Sequence, residues 1–125
     1  LVANAGISHA APVAEESLDD WRRVFAVNLE GVFLGLKHAL PHFRSRQRPG
    51  SIVIVGSASG RKASAGAAAY CASKAAVAML AKVAALEGKS SNIRVNVVSP
   101  AGVVTPMWKA MPFFRELEQK HGSEE

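Results

Sequence analysis

The chain has 125 residues, of which 49% are hydrophobic and 20% charged, so it can build one core but not two ordinary domains. This composition excludes a disordered chain, and apolar runs such as residues 63–69 are too short or too rich in alanine and glycine to cross a bilayer. A net charge of +5 permits an anionic partner, but no stacking aromatic residues are interleaved with the cations. Solvated cations at a helix end are therefore favoured over a nucleic-acid surface.

The first predicted element is a short apolar strand at residues 1–3, which Asn4, Ala5 and Gly6 follow directly. No turn or helix precedes this strand, and a domain rarely opens inside its own core. We therefore expect a fragment whose N-terminal part is absent. Nothing at the start of the sequence resembles a signal peptide, and the single Cys71 excludes an intramolecular disulfide, so a cytoplasmic protein is expected.

A long helix is predicted next. Ser17 is suited to the N-cap, with the Asp20 carboxylate three residues later, and the pattern ends before Pro49. Apolar residues recur at helical spacing: Trp21, Val24, Phe25, Leu29, Val32, Phe33 and Leu36. Asn28 interrupts this pattern as a poor helix former. It is either a structural residue at a kink or a functional one.

Strand, helix and strand then follow at residues 51–56, 68–87 and 93–98, with Gly88 as the residue that ends the helix. The β-branched run at 51–56 is typical of a strand covered on both faces. Strands alternating with long crossover helices predict a parallel α/β sheet.

A pair of residues and a single serine on these elements carry candidate chemistry. Tyr70 and Lys74 are four residues apart, so they lie on one side of a helix, and a nearby ammonium favours the phenolate form of a phenol, which suits acid–base catalysis. Ser57 follows a strand at the edge where parallel sheets bind ligands. Each has an ordinary alternative: a half-buried ring beside a solvated charge, and a loop serine that caps backbone groups.

Taken together, these segments resemble the short-chain dehydrogenase/reductase family from Leu1 to about Met107. The motifs are Asn4-Ala-Gly, Val27-Asn-Leu, Ile52-Val-Ile-Val-Gly-Ser, Tyr70-Cys-Ala-Ser-Lys and the Ser99-Pro segment with Thr105-Pro-Met. Ser57 precedes Tyr70 by 13 residues, as is usual in the family. The resemblance implies a partial, doubly wound Rossmann-like sheet in a three-layer α/β/α arrangement. Residues 1–125 would then be the catalytic portion of one such domain.

The resemblance also implies a catalytic tetrad and a reaction. Tyr70 would exchange a proton with the substrate oxygen while a hydride moves to or from NAD or NADP. Lys74 would support the Tyr70 phenolate and hold the ribose hydroxyls. Ser57 would donate a hydrogen bond to the substrate oxygen, and Asn28 would hold a water that relays protons.

Cofactor contacts are implied at both ends of the site. Asn4, Ala5 and Gly6 would border the adenosine, and a later loop would contact the nicotinamide through Pro100, Ala101, Gly102, Val103 and Thr105. The family's glycine-rich phosphate loop precedes the region that this chain covers, so poor cofactor binding by the chain alone is expected. Ala101 replaces the usual glycine, which would cost roughly 1 kcal/mol if that position needs a positive φ.

The expected substrate is a small alcohol or ketone, with hydrophobic bulk if a helical lid at residues 107–122 forms an apolar wall (Met107, Trp108, Met111, Phe113, Phe114). A homo-oligomer, dimer or tetramer, is implied because relatives pair the two long helices between subunits. Neither membrane nor nucleic acid is expected as a partner. No metal is expected, because the histidines lack ligand spacing (His9, His38, His42, His121). The alternative is a non-enzymatic binding or assembly module, which would not respond to NADH or NADPH; nucleic-acid binding is a distant third.

Overall fold

The fold was obtained as a computed structural model that describes residues 1–103 and 105–109. Three strands and four α-helices follow in chain order: β1 (Val2–Ala3), α1 (Leu18–Phe25), α2 (Gly31–Ser45), β2 (Gly50–Val55), α3 (Ala68–Gly88), β3 (Ile93–Val98) and α4 (Pro106–Lys109). A π-helical turn (Ala26–Glu30) joins α1 to α2, and short 3-10 turns follow β2 (Ala58–Gly60) and α3 (Lys89–Ser91).

The strands form one parallel sheet in the order β1-β2-β3. Ala3 lies opposite Ile54, and Val55 lies opposite Val98, so the three strands end at the same edge of the sheet. The predicted parallel α/β fold is thereby confirmed. Every segment singled out for chemistry after a strand therefore begins at this one edge.

The hydrophobic core lies on one face of the sheet. Ile52 and Ile54 are fully buried on that face, where α2 and α3 pack against them, while Arg94, Asn96 and Val98 on the other face are exposed. Right-handed crossovers between strands in sequential order place both helices on the same side. Within the described residues β2 is covered on one face, so the expected cover of its second face stays a prediction. A second helical layer, as in the complete three-layer arrangement, is not among the described residues.

Helix α1 begins as predicted, at Ser17. The Ser17 hydroxyl oxygen accepts a hydrogen bond from the Asp20 backbone N–H at 3.0 Å, and the hydroxyl donates to the Asp20 carboxylate at 2.7 Å. This N-cap satisfies an amide that would otherwise lack a helical partner. The hydrogen bond from Ser17 is the main reason that the pKa of Asp20 is lowered.

Helix α3 ends at Gly88, as predicted, but Gly88 is not the left-handed residue expected just after the end of a helix. Gly88 has φ −79° and is the last residue of α3. The left-handed residue is Asn92, with φ 56°, which ends the 3-10 turn that follows α3. A Cβ on Gly88 would approach the Ile93 backbone oxygen to 2.9 Å. Glycine at this position therefore permits close packing of α3 on β3, and asparagine ends the 3-10 turn because its side chain tolerates the left-handed region.

Helix α3 with its following turn spans 24 residues and is, by length and composition alone, apolar enough to cross a membrane. That result differs from the expectation drawn from the apolar runs. One face of this helix, with Val77, Ala81 and Ala84, packs against the sheet, and Lys74 is buried on it. Core helices of α/β proteins have the same composition, so the length and apolarity of α3 are weak evidence for a membrane-spanning helix.

The predicted lid at residues 107–122 falls almost wholly outside the described residues. Only α4 (Pro106–Lys109) represents it. The proposed wall residues Met111, Phe113 and Phe114, and the side chain of Trp108, lie outside the described part of the chain. Met107 is partly exposed.

Candidate active site

A cavity of about 370 Å³ opens at the carboxyl-terminal edge of the sheet. Three segments line it: the loop that follows β2 and includes Ser57, Tyr70 of α3, and residues 100–102 after β3. Ligands in parallel α/β sheets bind beyond this edge of the strands. Two of the four predicted tetrad residues, Ser57 and Tyr70, therefore line the same cavity.

Ser57 follows β2 after Gly56 and has an extended backbone, with φ −166°. Its hydroxyl oxygen accepts a hydrogen bond from the Ser59 backbone N–H at 3.1 Å and thereby caps the short 3-10 turn. The capping role that the sequence left as an alternative is thus present. A hydroxyl that accepts one hydrogen bond keeps its own hydrogen to donate, so Ser57 can cap the turn and still donate into the cavity.

Tyr70 and Lys74 lie one turn apart on α3. Tyr70 is half-buried at the cavity, while Lys74 is 4% exposed and its Nζ donates to the Val55 backbone oxygen at 2.9 Å. The Nζ atom is 5.8 Å from the centroid of the Tyr70 ring. Burial lowers the pKa of Lys74, because the charged form loses its hydration.

The loop after β2 is packed tightly against the helix that carries these two residues. A Cβ on Gly60 would come within 2.9 Å of both the carbonyl carbon and the carbonyl oxygen of Lys74. A glycine is required for that approach. The absence of a side chain on Gly60 allows the Ser57 loop to pack closely against the turn of α3 that carries Tyr70 and Lys74.

Asn28 lies within the π-helical turn, and its side chain is fully buried. The Oδ1 atom accepts from the Ile7 N–H at 2.8 Å, while Nδ2 donates to the Ile7 oxygen at 2.9 Å and to the Ser73 hydroxyl oxygen at 3.1 Å. Both amide hydrogens are therefore used inside the protein. The carboxamide ties the loop after β1 to α3.

Ser73 is the residue of this site that the sequence reasoning missed. It is fully buried, accepts the bond from Asn28 and donates to the Tyr70 backbone oxygen at 2.8 Å. It thus connects Asn28 to the turn of α3 that carries Tyr70. A serine in the middle of an apolar helix is a poor helix former, and that feature was available in the sequence as a signal.

The predicted adenosine-side segment lies beside the buried part of the site. A Cβ on Gly6 would lie 3.4 Å from Lys74 Nζ and 3.5 Å from Asn28 Oδ1, so these two side chains border the same small space. Asn4 and Ala5 are exposed at the end of β1. None of these three residues is among the described residues that line the 370 Å³ cavity.

The loop after β3 supplies the opposite wall. Pro100, Ala101 and Gly102 line the cavity, and the Pro100 oxygen accepts from the Ala58 N–H at 2.8 Å. Among the described residues, positive φ angles occur at positions 47, 66 and 92 but not at Ala101. Alanine in place of glycine therefore causes no left-handed strain there. Val103 and Thr105 are exposed further along the loop.

The histidine and cysteine side chains form no rival centre in the described ranges, where no group of three or more potential ligands could hold a metal ion. His9 instead pairs with Glu16 at 2.9 Å and lies 3.7 Å from Asp20. Cys71 is a free, partly buried thiol.

Comparison with known proteins gives a family match along most of the chain. Residues 1–114 match the family described as short chain dehydrogenase. A solved short-chain type dehydrogenase/reductase from Mycobacterium marinum superposes with a TM-score of 0.87 at 31% identity, covering 95% of this chain and 48% of that one.

Two curated relatives are similar at higher identity. The 2,5-dichloro-2,5-cyclohexadiene-1,4-diol dehydrogenase of Sphingobium indicum is 42% identical over 112 residues, which is 90% of this chain and 44% of that protein. The cis-4-hydroxycyclohexanecarboxylate dehydrogenase of Sinomonas cyclohexanicum is 44% identical over 113 residues, which is 90% of this chain and 45% of that protein. The chain therefore spans less than half the length of these relatives.

Proposed function

Because this chain belongs to the short-chain dehydrogenase family, we propose that it carries the catalytic half of an NAD(P)-dependent oxidoreductase that interconverts alcohols and carbonyl compounds. The observation that supports this most directly is the shared cavity of Ser57 and Tyr70, with Lys74 buried behind Tyr70 on the same helix. The relatives are named as alcohol and diol dehydrogenases, which supports an oxidoreductase.

The open face of the sheet supports a larger domain. Val2 is 64% exposed and Val98 is 53% exposed, although apolar side chains of a parallel sheet are normally covered on both faces. We propose that residues 1–125 form the catalytic portion of one Rossmann-type domain, in which further βα units cover this face and pair with the free edge of β1.

The proton chemistry is proposed for two hydroxyl groups of the cavity. Tyr70 gives its proton to a carbonyl oxygen in reduction and takes one from the alcohol in oxidation. Ser57 donates a hydrogen bond to the same substrate oxygen. The Lys74 ammonium offsets the negative charge that develops on the Tyr70 oxygen as the proton leaves.

The residues present fit a nicotinamide dinucleotide. Lys74 Nζ has three hydrogens and uses one on Val55, so two remain for ribose hydroxyls, and the absence of a Cβ on Gly6 leaves space beside it. The other proposed contacts are Asn4 and Ala5 on the adenosine side, and Pro100, Ala101, Gly102, Val103 and Thr105 on the nicotinamide side. When bound, the cofactor supplies or accepts the hydride.

Asn28 is proposed to take part in a proton relay between Lys74 and solvent. Since both hydrogens of its carboxamide are used on Ile7 and Ser73, the relay water must be bound by an oxygen of Asn28. The second role of Asn28 is to hold the loop after β1 against α3, and that role needs no cofactor.

The proposed substrate is a small secondary alcohol or the matching ketone. The two curated relatives described above are named for alcohols on a six-membered ring, and the cavity volume of about 370 Å³ accommodates a compound of that size. We also propose that the substrate carries hydrophobic bulk, which the apolar residues of the predicted lid would contact. The proposed location of the protein is the cytoplasm.

We also propose a homo-oligomer, a dimer or a tetramer. The solvent side of α3 carries Met79, Val83 and Leu86, each between 45% and 76% exposed, and α2 carries the half-exposed Phe33 and Leu34. Exposed apolar residues at helical spacing on neighbouring helices favour a protein partner. Sedimentation velocity tests this: Met79→Glu should shift the assembly toward monomer, and a wild-type monomer would contradict it.

The reaction is tested with Tyr70→Phe in the full-length protein that contains the chain. We expect oxidation of cyclohexanol with NAD⁺ or NADP⁺ to fall at least 10²-fold, the usual scale for losing a general acid–base group. Cofactor affinity, measured by NADH and NADPH fluorescence, should stay unchanged. Cys71→Ser is the matched neighbouring control. Ordinary turnover by Tyr70→Phe would remove the role assigned to the phenol, and the better of the two cofactors would identify the natural one.

A further inference from the structure

We infer that Lys62 makes the Ser57–Tyr70 cavity selective for substrates that carry an anionic group, such as a carboxylate, in addition to the reacting alcohol or carbonyl. This inference rests on the proposed function for the reaction itself. It adds the chemical class of the substrate and a residue that determines specificity.

The charge distribution of the cavity carries the inference. Among the described residues that line it, Lys62 is the single charged one, and no carboxylate is present. Ser59 and Ser64, whose side chains end in hydroxyl groups, line the same cavity. An ammonium with neighbouring hydroxyl donors is suited to a carboxylate, which accepts hydrogen bonds at both oxygens.

The backbone of Lys62 is hydrogen-bonded, while its side chain makes no hydrogen bond or ion pair with another described residue. The Lys62 N–H donates to the Ala58 oxygen at 2.9 Å, and the Arg61 N–H shares the same acceptor at 2.9 Å. Within the described residues, no carboxylate lies within ion-pair distance of the Lys62 ammonium, whereas Arg23 pairs with Asp20 at 3.0 Å. The charge of Lys62 therefore serves no described contact of the fold and is available to a ligand.

The anion could belong to the substrate or to a phosphate of the cofactor. The residues that line the cavity indicate that the anion belongs to the substrate. Lys62 lines the same cavity as Ser57 and Tyr70, which are proposed to contact the substrate oxygen. The proposed adenosine-side residues Asn4–Gly6 are not among the described residues that line it. The two sources are separated by the experiments below.

Binding is tested first with the 125-residue chain. Cyclohexanecarboxylate and its neutral analogue cyclohexanecarboxamide are titrated separately, and the backbone amide signals of Ser59 and Tyr70 are followed by NMR. We expect the carboxylate to bind about fivefold more tightly than the carboxamide, the upper range for a solvent-exposed ion pair. Lys62→Gln should abolish that preference, and Lys62→Glu should reverse it. Lys82→Gln, which removes an exposed lysine two turns beyond Lys74, should leave it unchanged.

Turnover is tested next in the full-length protein, with 4-hydroxycyclohexanecarboxylate and its carboxamide as substrates. In Lys62→Gln, kcat/KM for the carboxylate should fall about fivefold, mostly through KM, while the value for the carboxamide stays unchanged. Added salt should weaken the wild-type preference and leave Lys62→Gln unaffected.

Three results overturn the inference: equal affinity of the wild-type chain for the acid and the amide, an unchanged preference in Lys62→Gln, or a raised KM for NADP⁺ with an unchanged KM for the carboxylate. The last result would assign Lys62 to a cofactor phosphate. Carboxylate-selective binding that depends on Lys62, with no turnover of either substrate, would support the inference and refute the proposed reaction instead.

Discussion

Replacement of Asn28 by alanine should destabilise the chain far more than replacement of an exposed asparagine. The Asn28 side chain is fully buried and makes three hydrogen bonds, two with the Ile7 backbone and one with Ser73. A hydrogen bond contributes about 1 kcal/mol net, so Asn28→Ala should lower the free energy of unfolding by about 3 kcal/mol. The partner groups left behind lose their bonds in the same step.

Urea unfolding of the 125-residue chain, followed by circular dichroism, measures this change. Asn96→Ala is the matched control, because Asn96 is exposed on the open face of the sheet and its loss should cost less than about 0.5 kcal/mol. Combining Asn28→Ala with Ser73→Ala tests the contact directly: the two costs should be less than additive, since both changes remove the same bond. A cost below about 1 kcal/mol for Asn28→Ala, or full additivity with Ser73→Ala, would refute this account of the carboxamide.

Three further predictions concern the framework of the site. Burial lowers the pKa of Lys74, so between that lowered pKa and about 10.4 the unfolded chain binds more protons and the free energy of unfolding should rise with pH. Subtracting the urea-unfolding profile of Lys74→Met from that of the wild type isolates this rise, and a flat difference contradicts it. Gly60→Ala should cost about 1–3 kcal/mol because its Cβ meets the Lys74 carbonyl at 2.9 Å, whereas Gly31→Ala, with no contact closer than 3.7 Å, should cost nothing; equal effects in urea unfolding would argue against the close packing. Ser17→Ala should cost about 1 kcal/mol through the lost N-cap. It should also raise the pKa of Asp20 toward its ordinary value in an NMR titration, and an unchanged pKa would show that the Ser17 bond is not the cause.

The elements of this fold were predictable where the local pattern is strong. The strand at Ile93–Val98 and the start of α1 after Ser17 follow from a β-branched run and from an N-cap, and both were placed correctly. The end of α3 at Gly88 was also placed correctly, but the reason for the glycine was not, because Gly88 does not have the left-handed backbone of a glycine that terminates a helix. The role of Gly88 is to permit the close approach of Ile93 to α3, and the distance between them is set only when α3 packs against β3.

The candidate site was predictable as a set of residues but not as a set of contacts. The positions of Tyr70, Lys74 and Ser57 indicated acid–base chemistry, and the resemblance of their motifs to the short-chain dehydrogenase/reductase family is supported by the family match. The single charge among the described residues that line the cavity, on Lys62, could not be recognised from the sequence. Many exposed lysines follow strands, and only the folded chain places this one in the same cavity as Tyr70.

The sequence by itself determined the parallel α/β class, because hydrophobic periodicity and caps are local properties of the chain, and its motifs resembled the family that the comparison shows. The tertiary structure alone decided that α2 and α3 cover the same face of the sheet. It also decided that the Asn28 side-chain amide donates its two hydrogens to the Ile7 oxygen and to Ser73. Those outcomes depend on contacts between residues 21 and 45 positions apart. Such contacts form only when separate elements are packed together, so no local pattern encodes them.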